Sequence, residues 1–164
     1  MSRTDIGDRE VTSLALDLVS RENAMALATA REGTAWTAPV YFVFHKSAFY
    51  FFSDPASRHV QEALKSGQAS ATVYPFVSTW QEIRGVQMSG TVRAVSPGLE
   101  AVGSIRAYVR KFPFTREFFS PGDAADLESF GKRFKVRLYA FVPTLVYYLD
   151  NQVAFGFRKE IRFT

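Results

Sequence analysis

Residues 80–95, WQEIRGVQMSGTVRAV, alternate apolar and polar side chains for longer than an ordinary strand does. Val86, Met88 and Val92 fall on one face, and Gln87, Ser89, Thr91 and Arg93 on the other. That is the period-two pattern of a strand with one side in a core. Two glycines, Gly85 and Gly90, interrupt it. A strand this long has to curve with its sheet, and glycine marks where such a strand bends or where a flat ligand approaches the backbone. The chain is therefore expected to be built on a curved sheet, and a small barrel is the simplest form of one.

The flanking segments supply the other pieces. In residues 8 to about 22, Val11, Leu14, Ala15, Leu18 and Val19 make one apolar face of an opening helix. From Ala24 the pattern turns to strand: AMALATAR, a Glu32-Gly33 turn, TAWTAPVYFVF, a break at Lys46-Ser47, then AFYFFS. Three strands in meander order are the simplest account. A helix is expected from about Ala56 to Ser66, stopping at Gly67, followed by a strand ASATVYPFV in which Pro75 suggests an edge or a bulge. Pro97-Gly98 ends the long strand, and residues 99–111 read as a helix with Leu99, Val102, Ile105, Ala107 and Val109 inward. Residues 112–134 are irregular or short-helical and aromatic, like a segment that covers something. KVRLYAFVPTLVYYLD reads as two strands broken at Pro143, and NQVAFGFRKEIRF as a basic, aromatic tail. Neither repeat nor linker divides the chain, so residues 1–164 form one domain, mainly β in the α+β class, with residues 1–7 expected to be disordered.

Composition narrows the function classes. Sixteen Phe, 7 Tyr and 2 Trp suit a β-rich core, a surface that stacks on a planar ligand, or a contact with a second subunit. The absence of Cys removes disulfides, thiolate metal sites and cysteine nucleophiles, and it is compatible with a reducing compartment. The charged N-terminus and the lack of a long apolar run point to a soluble, cytoplasmic protein with no membrane partner. Net charge is +4, with seven basic residues between Lys132 and Arg162. Arg133, Lys135 and Arg137 have the period of one solvated strand face, and no recognised motif accompanies the charge, so a nucleic-acid partner is not favoured.

The residues that carry chemistry are few. His45 and His59 are the two histidines; neither lies in a nucleophile motif, and without cysteine they form no closed metal-ligand set. Asp123 and Asp126 read as a solvated turn. Ser53-Asp54-Pro55-Ala56-Ser57-Arg58-His59 gathers hydroxyls and a basic pair where a strand hands over to a helix, which is where backbone N–H groups favour an anion. Local sequence leaves two readings open there, a capped helix or a phosphate cradle. Arg106, Arg110, Lys111 and Arg116 form a second basic group, and Tyr147, Tyr148 and Arg158 a third that could border a planar ligand.

Taken together, FFSDPASRHVQEAL, EIRGVQMSG, YVRKFPFTR and NQVAFGFRKEIRF resemble the FMN-binding split barrels related to pyridoxamine phosphate oxidase, and within them the YhbP-like branch. The resemblance runs from about residue 10 over nearly the whole chain. It implies a homodimer of six-stranded split β-barrels with flanking helices, and two FMN molecules in grooves between the subunits. Ser53 matches the hydroxyl at the strand end, and Ser57 and Arg58 match the Ser-Arg phosphate clamp. His59 stands where lysine is usual, which implies weaker or pH-dependent phosphate binding there. Gly85 and Gln87 lie on the strand beside the flavin ring, and Tyr148 and Arg158 approach the ring from the other subunit.

Two departures bear on the reaction. Thr37 and Phe42 occupy the places of an Arg-x-x-x-x-Lys strand, and Ala154-Phe155-Gly156 replaces a substrate-binding Arg-x-His. The resemblance therefore implies an FMN-dependent oxidoreductase that does not oxidise pyridoxamine phosphate. Its substrate would be small, planar and anionic, with Arg110 and Lys111 on the substrate side. The alternative is a non-catalytic flavin- or haem-binding module, with His45 or His59 as a haem ligand.

Overall fold

Phe42 is the single residue between two strands that end up at opposite ends of the sheet order. The computed structural model describes residues 6–118, 131, 132 and 134–163. Along the chain run α1 (Asp8–Arg21), β1 (Ala24–Arg31), β2 (Thr34–Tyr41), β3 (Val43–His45), β4 (Ala48–Ser53) and α2 (Arg58–Ser66). Then follow β5 (Ala69–Val73), β6 (Arg84–Ala94), α3 (Leu99–Lys111), β7 (Arg137–Asp150) and β8 (Arg158–Ile161). All pairings are antiparallel, in the order β2-β1-β5-β6-β7-β4-β3, with β8 beside β7. Since β2 and β3 are joined through Phe42 alone, the sheet has to curl until its two ends meet. The result is the curved half-barrel that the long strand foreshadowed.

The interior is aromatic. Phe42, Phe49, Phe51, Phe141, Tyr139 and Tyr148 are buried with Met25, Leu27, Val73 and Val86, and α1 adds Val11, Ala15, Leu18 and Val19 to the same core. Leu14, expected on that helical face, is partly buried against it. On the other side of β4 and β7, α3 packs Ala101, Ile105, Tyr108 and Phe112 over Val43, Tyr50, Leu138 and Ala140.

Several expectations are corrected. Among the described residues the sheet has eight strands, not six. The first strands are not a three-strand meander: β2 pairs with β1, while β3 and β4 form a hairpin at the other end of the sheet, because the chain turns at Phe42. β5 stops at Val73, two residues before Pro75, and lies between β1 and β6 rather than at an edge. The second helix starts at Arg58, because residues 54–57 are used in a turn. Pro143 does not split β7. It sits opposite Gly90, where the register slips by one residue and leaves Thr144 as the bulge. Gly90 cannot carry a side chain there, since a Cβ would overlap the Val142 carbonyl oxygen and lie 2.8 Å from Pro143 Cα.

The tail, too, is a strand: β8 pairs with β7 from Val146 to Leu149. On α3 the buried stripe is Ala101, Ser104, Ile105 and Tyr108, and Leu99 is 92% exposed. Ser104 tolerates burial because its hydroxyl donates to Glu100 and Ala101 carbonyls within the helix. Lys135 has a positive φ in a turn before β7, so Lys135 and Arg137 do not share a strand face. Arg133, Asp123 and Asp126, with most of the aromatic segment after Phe118, lie outside the described residues. Among the described residues no helix is long and apolar enough to cross a membrane.

Candidate functional site

The turn after β4 is built by Asp54. Its carboxylate accepts the Ala56 N–H at 2.7 Å and its carbonyl accepts the Ser57 N–H at 3.0 Å. Asp54 thus organises the turn instead of capping α2. Ser57 takes the N-cap position with extended backbone, but its side chain makes no capping bond. The hydroxyl points into a triangle: Ser57 Oγ lies 3.3 Å from Ser53 Oγ and 3.3 Å from His59 Nε2, and Ser53 Oγ lies 2.8 Å from the same nitrogen. Ser53 is buried at the end of β4. Burial lowers the His59 pKa below its ordinary value, so the imidazole is neutral near pH 7. In the tautomer with its proton on Nδ1, Nε2 accepts from Ser53.

Arg58 turns the other way. Its Nε donates to Glu62 Oε1 at 2.7 Å, and its guanidinium lies 4.6 Å from the ring centroid of Trp36 on β2. Glu62, 5% exposed, also accepts from Thr29 Oγ1 on β1 at 2.6 Å. The Thr29 hydroxyl, then the Arg58 guanidinium, hold the Glu62 carboxyl below the usual carboxylate range. Of the four residues expected at the phosphate site, Ser53, Ser57 and His59 come together and Arg58 does not. Glu62, Thr29 and Trp36 were not singled out from the sequence. The four-residue spacing of Arg58 and Glu62 was a visible signal for one pair, whereas Thr29 and Trp36 arrive only through the fold.

A second feature lies on the outer face of the sheet. Thr37, Thr72, Gln87, Ser89, Tyr147 and Arg158 help to line an open cleft of about 380 Å³. Gln87 faces Thr72 on one side and Tyr147 on the other in the strand register. The Arg158 guanidinium sits 4.1 Å from the centroid of the Tyr147 ring. Tyr148 belongs to the opposite face: it is 1% exposed in the core and donates its hydroxyl to Asp150 Oδ2 at 2.7 Å. The aromatic beside Arg158 is therefore Tyr147. At Gly85 the room for a Cβ is taken by this chain's own backbone, with Val73 O at 2.9 Å.

The second basic group divides. Arg110 is exposed on α3. Lys111 reaches α1, donating to the Glu22 carbonyl at 2.5 Å with its ammonium 4.0 Å from the centroid of the Phe42 ring. Burial pushes the Lys111 pKa down to about 8 against the opposing pull of Glu22. It fastens α3 to the C-terminal end of α1. His45 sits beside Gly103 on α3, where a Cβ would come 3.1 Å from its Nε2.

Comparison with known proteins now separates fold from function. The family model described as pyridoxamine 5'-phosphate oxidase matches residues 12–126. The chain belongs to the pyridoxamine 5'-phosphate oxidase family. Among the relatives of this family member, the UPF0306 protein YhbP of Escherichia fergusonii is 30% identical over 105 residues, 63% of this chain and 71% of that one. In fold, it is similar to a heme binding protein from Mycobacterium smegmatis, with a TM-score of 0.71 and 13% identity, covering 96% of this chain and 60% of that one. The FAD binding protein from Mycobacterium smegmatis is similar at a TM-score of 0.60 and 15% identity, covering 93% of this chain and 96% of that one. These likenesses establish the split-barrel fold. The pyridoxamine 5'-phosphate oxidase family match spans both halves of the Ser53, Ser57 and His59 triangle and the Gln87 strand.

Proposed function

We propose that the chain binds FMN and acts as a flavin-dependent oxidoreductase, as a homodimer with each flavin in a groove walled by both subunits. The observation that carries this reading is the triangle of Ser53, Ser57 and His59 at the first turn of α2. A phosphate monoester presents acceptors only and carries close to two negative charges. Two hydroxyls, an imidazole and a helix N-terminus with no side-chain cap are a matching set of donors. The residues fit the group.

The flavin ring is assigned to the outer-face cleft. Gln87 offers an amide to the ring edge, Gly85 stands on the same strand, and Tyr147 with Arg158 gives the same cleft an aromatic and a cationic border. Bound FMN supplies the electron-transfer chemistry, and the protein's part is to anchor the phosphate, flank the ring and exclude water. Leu145, partly exposed at the edge of this cleft, adds apolar surface that suits a second copy.

Pyridoxamine phosphate is not the substrate in this reading. Phe42 is fully buried in the core, where it touches no ligand, and Ala154-Phe155-Gly156 offers no cation. A small planar anion remains the substrate class, with exposed Arg110 available to it and Lys111 engaged elsewhere.

The visible spectrum of freshly purified protein tests the proposal. Flavin bands, with FMN released on denaturation, support it. A colourless protein that takes up haemin with a Soret band, lost in His45→Ala or His59→Ala, would make it a haem-binding module instead.

A further inference from the structure

The anion site holds a cation that does not reach it. Arg58 is adjacent to Ser57, yet its guanidinium is engaged by Glu62 and lies over Trp36. Glu62 in turn is tied to β1 through Thr29. For Arg58 to swing to the hydroxyls, it would have to leave a buried carboxylate with a single neutral partner, and that arrangement is costly.

His59 is placed differently. Its Nε2 is in contact with both hydroxyls. The charged and titratable groups on the adjoining elements are Asp54 in the turn, Arg58 and Glu62 on its own helix, and, on β7, Arg137 opposite Ser53 and Tyr139 opposite Phe51 in the register. The Asp54 carboxylate is bonded to the Ala56 N–H, and the Glu62 carboxylate to Arg58 and Thr29. Burial is the one influence that moves His59, and it favours the neutral ring. A charge on this imidazole is therefore stabilised only when an anion arrives.

Resting on the FMN reading above, we infer that His59, and not Arg58, supplies the charge that holds the FMN phosphate, so that FMN is bound more tightly as pH falls. In the free protein, Ser53 donates its hydroxyl hydrogen to Nε2. When the ring takes a proton, Nε2–H becomes a donor, and the Ser53 and Ser57 hydrogens are released to the phosphate oxygens. One proton is taken up per FMN bound. Arg137, exposed on β7 and opposite Ser53 in the strand register, adds attraction for the phosphate.

The test is a fluorescence titration of the whole protein with FMN and with riboflavin. It runs from pH 6.5 to 8.5, above the range in which the phosphate itself titrates, near pH 6. An opposite charge at contact raises a titrating group by roughly one to three pH units, so FMN affinity should fall about tenfold across this range while riboflavin affinity stays flat. His59→Gln should remove the slope, and Arg58→Ala should keep it. Because His59→Gln could impair folding, the wild-type imidazole is also followed by NMR, with His45→Gln assigning the two ring signals. The His59 pKa should rise when FMN is added and stay put with riboflavin. A flat FMN profile, a slope that survives His59→Gln, or a His59 signal unmoved by FMN overturns the inference while leaving FMN binding intact. If neither flavin binds at any pH, the FMN reading falls and takes this inference with it.

Discussion

Arg58 Nε stands 2.7 Å from Glu62 Oε1, one helical turn further along α2, and this pair ties the helix to the sheet. Through its other oxygen Glu62 accepts from Thr29 on β1, and the Arg58 guanidinium covers Trp36 on β2. An arginine that sequence alone would hand to a phosphate is a structural clamp between α2 and the β1–β2 hairpin.

The clamp makes stability depend on acid. Glu62 has its folded pKa lowered by Thr29 and Arg58, so it contributes stability that is fully present above the unfolded carboxylate pKa and lost as pH falls through the folded one. Glu62→Gln should lower the denaturation midpoint at pH 7 and flatten its fall between about pH 5 and pH 3, where carboxylates titrate. Urea denaturation across that range measures it. An unchanged acid limb would mean that other carboxylates dominate.

Lys111 shifts in the same direction but acts in a higher pH window. Its folded pKa of about 8 lies below the ordinary lysine value, so between the two the unfolded chain binds more protons. The contribution of this residue to stability should therefore rise with pH above about 8. Lys111→Met should remove that rise, read as the difference in urea midpoint between the two proteins at pH 7.5 and pH 10.

Tyr147 and Tyr148 are neighbours with separate duties. Tyr148→Phe removes the buried hydroxyl that serves Asp150 and should cost about 1–3 kcal/mol of stability, with flavin affinity unchanged within twofold. Tyr147→Ala opens the cleft beside Arg158 and should weaken binding of FMN and riboflavin alike by about tenfold, the worth of one stacked aromatic. Chemical denaturation and flavin titration of both variants separate the two roles.

Gly90→Ala should be severely destabilising. Its Cβ would overlap the Val142 carbonyl oxygen at the bulge, and a forced backbone shift there should cost about 3 kcal/mol. The denaturation midpoint checks it, and Gly7→Ala, just before α1 with open space around it and an ordinary negative φ, is the comparison.

Much of the fold was legible because its signals were local. The apolar stripe of α1, the Glu32-Gly33 turn and the αL glycine at Gly67 each declare themselves within a few residues. The two bends, at Gly90 and Pro143, were both visible as isolated irregularities. That they face each other in one bulge depends on pairing between β6 and β7, which no short window contains. The misplaced strand order has the same origin, since Phe42 looks like the middle of a strand until the barrel closes around it. At the site, the hydroxyls and His59 were legible from the strand-to-helix junction. Arg58 was assigned by adjacency, and only burial of Glu62 against Thr29 reveals where it goes. Tyr148 came from the resemblance, and which of the two adjacent rings faces out is set by the register of β7 against β6, which the sequence does not show.

The central claim is that the Ser53, Ser57 and His59 triangle holds the phosphate of FMN, and side-by-side equilibrium titration with FMN and riboflavin at pH 7 tests it most directly. The two ligands share a ring and differ by the phosphate. Two to three charge-assisted hydrogen bonds at that group predict FMN binding at least tenfold tighter, with the difference abolished when Ser53→Ala, Ser57→Ala and His59→Gln are combined. Equal affinity for the two flavins, or a preference for FMN that survives the triple variant, would contradict it.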